Sequence, residues 1–272
     1  MIEISPESAQ ALFIEMLYNE QQLATGTAFI CAVGNNRILV TNRHNFTCRS
    51  QVTDQPLYGH GGIPNKIRVW LHESSKLGKF SPVDYPILSK NDEPLWVEHP
   101  VLGKAADIGG LRVVIPDGLS CYPVDLNEPS NSPIIRPAEI LSVVGYPFGL
   151  SGGKSFAIWA TGFVASEPEL NYQDLPVFLI DCRSRGGQSG SPVFAVRSGS
   201  YSTSTAALVA GSTSVFLGVY SGRINIESDL GKVWKRRAVR ELVMNMSFNI
   251  ELSSGYSVLS PQQISDPRAE SL

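Results

Sequence analysis

Apolar residues recur along this chain in short alternating or continuous runs: "GTAFICAV" (26–33), "NRILVTNR" (36–43), "KIRVWLH" (66–72), "GGLRVVI" (109–115), "ILSVVGY" (140–146), "FAIWATGFVAS" (156–166), "PVFLIDC" (176–182), "PVFAV" (192–196) and "VFLGVYS" (215–221). Each has the length or period of a strand, and turn residues such as "GNN", "GGIPN", "NDEP" and "SGGK" separate them. This pattern predicts an all-β protein, an antiparallel barrel or sandwich. One late stretch carries a helical period. "SDLGKVWKRRAVRELVMNM" predicts a helix over 228–246, capped at Ser228 or Asp229, with Trp234, Ala238 and Leu242 at i+4 and Val239 beside them. Lys235, Arg236 and Arg237 are expected on its solvated face. At the start, "SPES" followed by "LFIEMLY" predicts a short turn and then a strand. Residues 250–272 are Ser-rich and polar, and read as a loosely held tail.

Composition narrows the picture further. With 272 residues, 43% of them hydrophobic, the chain can bury a large core. A net charge of -3 gives no electrostatic ground for nucleic acid or an anionic membrane as partner. The N-terminal stretch has no basic region, and Glu15 breaks its longest apolar patch. No run approaches the roughly 18 apolar residues of a membrane span. Neither a secretory signal nor a membrane segment is therefore expected, and a cytoplasmic location follows. Cys31, Cys48, Cys121 and Cys182 have no CxxC spacing, so reduced thiols are expected rather than a zinc ribbon or redox pair. His60, His72 and His99 have neither i,i+4 spacing nor Cys partners, so no metal and no cofactor is implied.

Candidate chemistry centres on "CRSRGGQSGSPVFAV" (182–196). A serine hydroxyl becomes a nucleophile only beside a base, and that base needs a partner to fix its tautomer. The four histidines, His44, His60, His72 and His99, all precede Ser189. The nucleophile elbow of α/β-hydrolases requires a later His, and its second glycine is replaced here by Ser191, so that reading fails. His44 stands just past the apolar run of "RILVTNRHNF", at a position a rigid strand can hold. No Asp precedes it, so its acid must follow in the chain. Asp107 in "ADIGGLRVVI" is the best placed, as the last polar residue before an apolar strand. The other intervening aspartates sit mostly in turn-like or edge settings.

"ILVTNRHNF", "ADIGGLRVV" and "GGQSGSPVF" together resemble the three active-site segments of trypsin-like (chymotrypsin-fold) serine peptidases, in family order. "GTAFI", "VVGYPFGL…ATGFVAS" and "GVYSGRI" resemble further family segments, the second of them as in HtrA-type and bacterial glutamyl-endopeptidase-like members. The resemblance covers about residues 10–245. It implies two six-stranded antiparallel β-barrels with a C-terminal α-helix. The whole chain, 1–272, would be a single peptidase unit. Its first barrel would span about 8–130, its second about 131–227, its helix about 228–246 and its tail 250–272. It also implies His44 as general base, Asp107 as orienting acid and Ser189 as acylated nucleophile. The N–H groups of Gly187 and Ser189 would form the oxyanion hole. Many secreted members carry an Asp at position 188 that pairs with a newly cleaved N-terminus. Gln188 departs from that pattern and implies no such activation. HtrA-type members continue into a PDZ domain, for which the remaining tail is too short.

On the substrate side, the resemblance makes Arg183 and Ser184 one pocket wall and Tyr220, Ser221 and Gly222 the other, with Arg185 and Arg223 close by. These arginines would either favour an acidic residue before the scissile bond or point to solvent. The strand near Tyr220 would pair with substrate main chain. Secreted relatives brace the His loop with a disulfide, and Cys31 and Cys48 bracket His44 here, at a different spacing. The expected partner is a polypeptide substrate. A regulatory protein, tight sequence specificity or a cue at the cleft would restrain such an enzyme. Two rivals are a catalytically silent member used as a binding or scaffold module, and a structural β-barrel in which "GQSGS" is only a loop.

Overall fold

Strand β2 (Gln21–Val33) shows how the first layer is built, because its alternate side chains feed two different cores. In the computed structural model, which describes residues 4–59, 61–203, 207–225, 227–252 and 262–263, Ala28 and Ile30 turn inward on the first sheet. They meet Leu12, Ile14 and Met16 of β1 (Ala11–Tyr18), Leu39 of β3 (Asn36–Thr41) and Ile67 and Val69 of β4 (Lys66–Glu73). Phe29 and Cys31 face the other way, into a core shared with the second sheet. A strand buried on both faces reads as a continuous apolar run, as "AFICAV" does.

The first sheet runs β15-β5-β4-β1-β2-β3-β7-β6, with β8 on β4. Here β5 is Phe80–Pro86, β6 Val97–Glu98, β7 Gly109–Val113, β8 Leu119–Ser120 and β15 Gln262–Gln263. Six strands close the second barrel in the order β10-β11-β14-β13-β12-β9. They are β9 (Ile140–Gly145), β10 (Ile158–Val164), β11 (Val177–Asp181), β12 (Pro192–Ser202), β13 (Leu208–Arg223) and β14 (Leu230–Lys235). Leu141, Val143, Phe178, Ile180, Val193 and Val233 fill it. All neighbouring strands of both sheets pair antiparallel. The architecture is chymotrypsin-like: two β-layers followed by a helix.

The late helix differs from the sequence expectation at its start. Residues 230–235 form β14, and the helix α3 spans Arg236–Leu252. β14 pairs with both β11 and β13, so a helix there would leave the barrel open and two ladders unsatisfied. Ser228 and Asp229 therefore cap nothing, and the second barrel reaches Lys235 rather than ending near 227. Ala238, Val239, Leu242, Val243 and Met246 bury the helix face in the shared core. Lys235 is buried as well, its Nζ donating to Leu170 O at 2.6 Å and Asn171 Oδ1 at 3.2 Å. It does not belong to a solvated basic face. Arg236 pairs with Glu128 at 2.6 Å, and Arg237 donates to Asn171. Ahead of β1, residues Pro6–Gln10 make one helical turn, α1. Apart from the end of α3 and Gln262–Gln263, the tail lies outside the described residues, and so does His60. No described helix is long and apolar enough to cross a membrane.

His72 couples α1 to the first sheet. Its buried ring packs against Phe80, Tyr122 and Phe156, and Nε2 donates to Ala9 O at 2.8 Å. Burial holds its pKa below the ordinary value of 6.5, against the opposing pull of the Ala9 carbonyl. The unfolded chain therefore takes up a proton that the folded one refuses, and stability falls as pH drops through 6.5, by up to about 1.4 kcal/mol per pH unit for one such group. Urea unfolding at pH 7 and pH 5 checks this. The pH-induced loss should be smaller in His72→Phe than in wild type, and equal losses would contradict it. His99, also buried with a lowered pKa, contributes the same sign in both proteins.

Candidate active site

Strand β3 leads to His44. It ends at Thr41, and Asn42 turns the chain into the short helix α2 (Arg43–Thr47), which carries His44. Cys48 ends α2 in a left-handed conformation at φ 52°, its N–H donating to His44 O at 2.8 Å. Buried Asn42 pins this corner by donating Nδ2 to Asp107 O at 2.7 Å. Asp107 lies between buried Ala106 and Ile108, two residues before β7 begins at Gly109. Its two oxygens are divided: Oδ1 accepts the His44 backbone N–H at 3.1 Å, and Oδ2 lies 2.8 Å from His44 Nδ1. A carboxylate can only accept, so the imidazole proton sits on Nδ1 and the lone pair on Nε2.

The loop around Ser189 is shaped by two glycines. Gln188 N–H donates to Arg185 O at 3.2 Å, and Gly187 has φ 89°. With positive φ at the third position and not the second, Arg185–Gln188 is a type II turn. A Cβ on Gly187 would stand 2.4 Å from Tyr146 O, and one on Gly190 (φ 86°) 2.1 Å from Thr27 O. Side chains are therefore barred at both positions by space as well as by φ. Gln188 is buried and accepts the Arg185 N–H through Oε1 at 2.7 Å, so the turn is braced by its own fourth residue. Ser189 is half-buried, and its carbonyl accepts Thr27 N–H at 3.0 Å and Asn45 Nδ2 at 3.1 Å. The residue after His44 thus bonds the backbone of Ser189 directly. Among the described residues, neither Gly187 N–H nor Ser189 N–H donates to a protein acceptor.

The sequence profile of the trypsin-like peptidase domain matches residues 26–201, a span that includes His44, Asp107 and Ser189. The chain belongs to the trypsin-like peptidase family. It is, as a member, a serine endopeptidase. Similar solved structures include a serine endoprotease from Yersinia pestis, 13% identical, with TM-score 0.51, covering 90% of this chain and 68% of that one. A thermostable serine protease, AL20, from an extremophilic microorganism is 13% identical, with TM-score 0.52, covering 90% of this chain and 99% of that one. At this identity the likeness concerns the fold. No curated protein matches the chain.

The expected substrate-binding residues of the peptidase fall into two groups. Ser184 and Tyr220 meet, their hydroxyls hydrogen-bonded to each other in the buried interior of the second barrel. The Tyr220 ring lies over Gly231, where a Cβ would come within 2.6 Å of it, and burial pushes its pKa up to about 12. Tyr220 N–H donates to Ser191 O and its carbonyl accepts Gly190 N–H, so its backbone knits the barrel. Ser221 and Gly222 lie at a register shift in β13, beyond its pairing with β12. Arg183 is exposed. Arg185 donates Nη1 to Ser184 O at 2.8 Å and reaches Asp229 at 4.0 Å, which partly neutralises it. All four cysteines are free, Cys31 in β2 and Cys48 at the end of α2.

Three residues at the site carried no sequence expectation. Thr27, Thr41 and Asn45 are buried polar groups that link the first sheet to the Ser189 loop. Thr41 Oγ1 donates to Thr27 O at 2.7 Å, and Asn45 Nδ2 reaches Thr41 Oγ1 at 2.8 Å. The usable signal was polarity inside strand-like runs, in "GTAFICAV" and "LVTNRHNF". Such groups must find partners when buried.

Proposed function

We propose that the chain hydrolyses polypeptide bonds through an acyl-enzyme on Ser189. The observation carrying this reading is the division of the Asp107 carboxylate between the His44 backbone and ring. It leaves Nε2 as the only ring nitrogen with a free lone pair. In the proposed reaction Ser189 Oγ attacks the peptide carbonyl carbon while its proton moves to His44 Nε2. The carbonyl π pair moves onto oxygen, and the Gly187 and Ser189 N–H groups receive that oxyanion. One such donor is worth about 2.7–4 kcal/mol of transition-state stabilisation. The intermediate collapses, the C–N bond breaks, and the leaving amine takes the proton from His44. Water then repeats the sequence against the acyl ester and restores Ser189.

The test is covalent. A fluorophosphonate probe should label folded wild type, with mass spectrometry placing the adduct on Ser189, and peptide libraries should show internal cleavage. Folded protein that neither labels nor cleaves would replace this reading with that of a silent binding module.

A further inference from the structure

We propose that Thr27 is a positioning residue that fixes the Gly187 amide as an oxyanion donor. The inference rests on the reading above but concerns how the donor is held. Gly186 and Gly187 are both glycines, so the 185–188 segment can adopt a type I or a type II turn with little steric cost. The two differ by a rotation of the central peptide plane. C=O and N–H point in opposite directions across a trans peptide, so that rotation reverses the Gly187 N–H. Local sequence therefore does not choose between a turn that offers this donor and one that withdraws it.

Contacts from outside the turn make the choice. Gly186 O accepts the Phe148 N–H at 2.6 Å, which turns the Gly187 N–H to the opposite side. Gly187 O accepts the Thr27 hydroxyl proton at 2.9 Å. The first tie fixes the peptide plane that carries the Gly187 N–H, and the second anchors the peptide that follows it. The same Thr27 oxygen accepts the Tyr146 N–H at 3.1 Å, and Tyr146 leads directly into Pro147 and Phe148. One hydroxyl therefore holds the turn and the segment that clamps it. Phe148 has φ 55°, a conformation that bulky residues avoid, and the residue is 67% exposed, so burial does not hold it there. Gly145 makes room for this junction, since a Cβ there would stand 2.8 Å from Thr27 Oγ1. Thr27 itself is fully buried in β2 of the first sheet, whereas Tyr146, Phe148 and Gly187 follow strands of the second. Packing of the two sheets thereby sets the donor. The Gln188 side chain adds a local brace on Arg185 N–H but touches neither flanking carbonyl.

Thr27→Val keeps the shape and removes the hydroxyl. We expect kcat on a peptide substrate to fall by about 10–100-fold, with KM changed by less than about threefold. Affinity for a peptide boronate, whose adduct places an oxygen in the oxyanion position, should fall in step. Affinity for a non-covalent product peptide should not, although a merely structural defect would weaken both. Thr27→Ser should restore kcat to within about threefold of wild type. A crystal structure of Thr27→Val should show the Gly186–Gly187 peptide rotated or in two orientations. Should Thr27→Val fail to fold, Thr27→Cys, with a weaker donor, should give an intermediate kcat loss. Wild-type kcat in the folded variant, with the type II turn intact, would overturn the proposal. An inactive wild type would instead overturn the peptidase reading, and the turn geometry in Thr27→Val would still decide whether Thr27 sets the amide.

Discussion

Replacing Ser189 with Ala is expected to lower kcat by on the order of 10⁶ and to abolish fluorophosphonate labelling. At about 1.4 kcal/mol per decade that is roughly 8 kcal/mol of lost barrier reduction. The loss should be this large because the substitution removes the covalent route, leaving the amide donors and the bound substrate to act on water alone. It should not come from misfolding. Ser189 itself is tied to the first sheet through its backbone carbonyl, which Ala retains. Thermal unfolding should accordingly stay near wild type while rate and labelling collapse. Hydrolysis by Ser189→Ala within tenfold of wild type would assign the nucleophile elsewhere.

Asp107→Asn is expected to cost about 10⁴ in kcat, and the reason lies in how the carboxylate is divided. Oδ1 faces the His44 backbone N–H, which can only donate. An Asn side chain must place its carbonyl oxygen there, which turns its NH₂ toward His44 Nδ1. That nitrogen must then accept, so the imidazole proton moves to Nε2, the atom that has to receive the serine proton. The base is present and in place but carries its proton on the wrong nitrogen. Asp107→Ala should lose kcat too, but without the enforced tautomer, so the two variants need not be equal. Measuring kcat for both, with a crystal structure to confirm that His44 has not moved, checks the argument. An Asp107→Asn enzyme within tenfold of wild type would show that the ring is not oriented by this residue.

Much of the β architecture was legible in the chain because burial on one or both faces imposes a local pattern. β2, β3, β7 and β9 each contain a run that reads as strand, and their apolar residues are those of the cores. β5 did not announce itself, since Pro82 and Pro86 interrupt it. Pairs such as Trp70 with Pro82 hold it against β4 all the same. The outer halves of β12 and β13 were hidden by "RSGSYS" and "LVAGSTS", whose exposed small residues carry no alternation. β14 was misread because the i+4 spacing of Trp234, Ala238 and Leu242 continues across a strand–helix junction at Lys235. Trp234 reaches the shared core from the strand and Ala238 from the helix, so spacing alone could not separate them.

The sequence by itself determined the strand content, the apolar core residues, and the order and chemical types of His44, Asp107 and Ser189. Those features depend on residue type and on short periods, which the chain carries wherever it is read. Only the tertiary structure decided which oxygen of Asp107 faces which donor, that Tyr220 and Ser184 close on each other inside the barrel, and which way the Gly187 amide points. Gly187 has an intrinsic freedom that permits either turn. The Phe148 N–H meets the Gly186 carbonyl, and the segment that carries it is bonded through Tyr146 to Thr27, 160 residues before Gly187. Hydrogen-bond direction at such separations is set by how two sheets pack, and no local pattern encodes it.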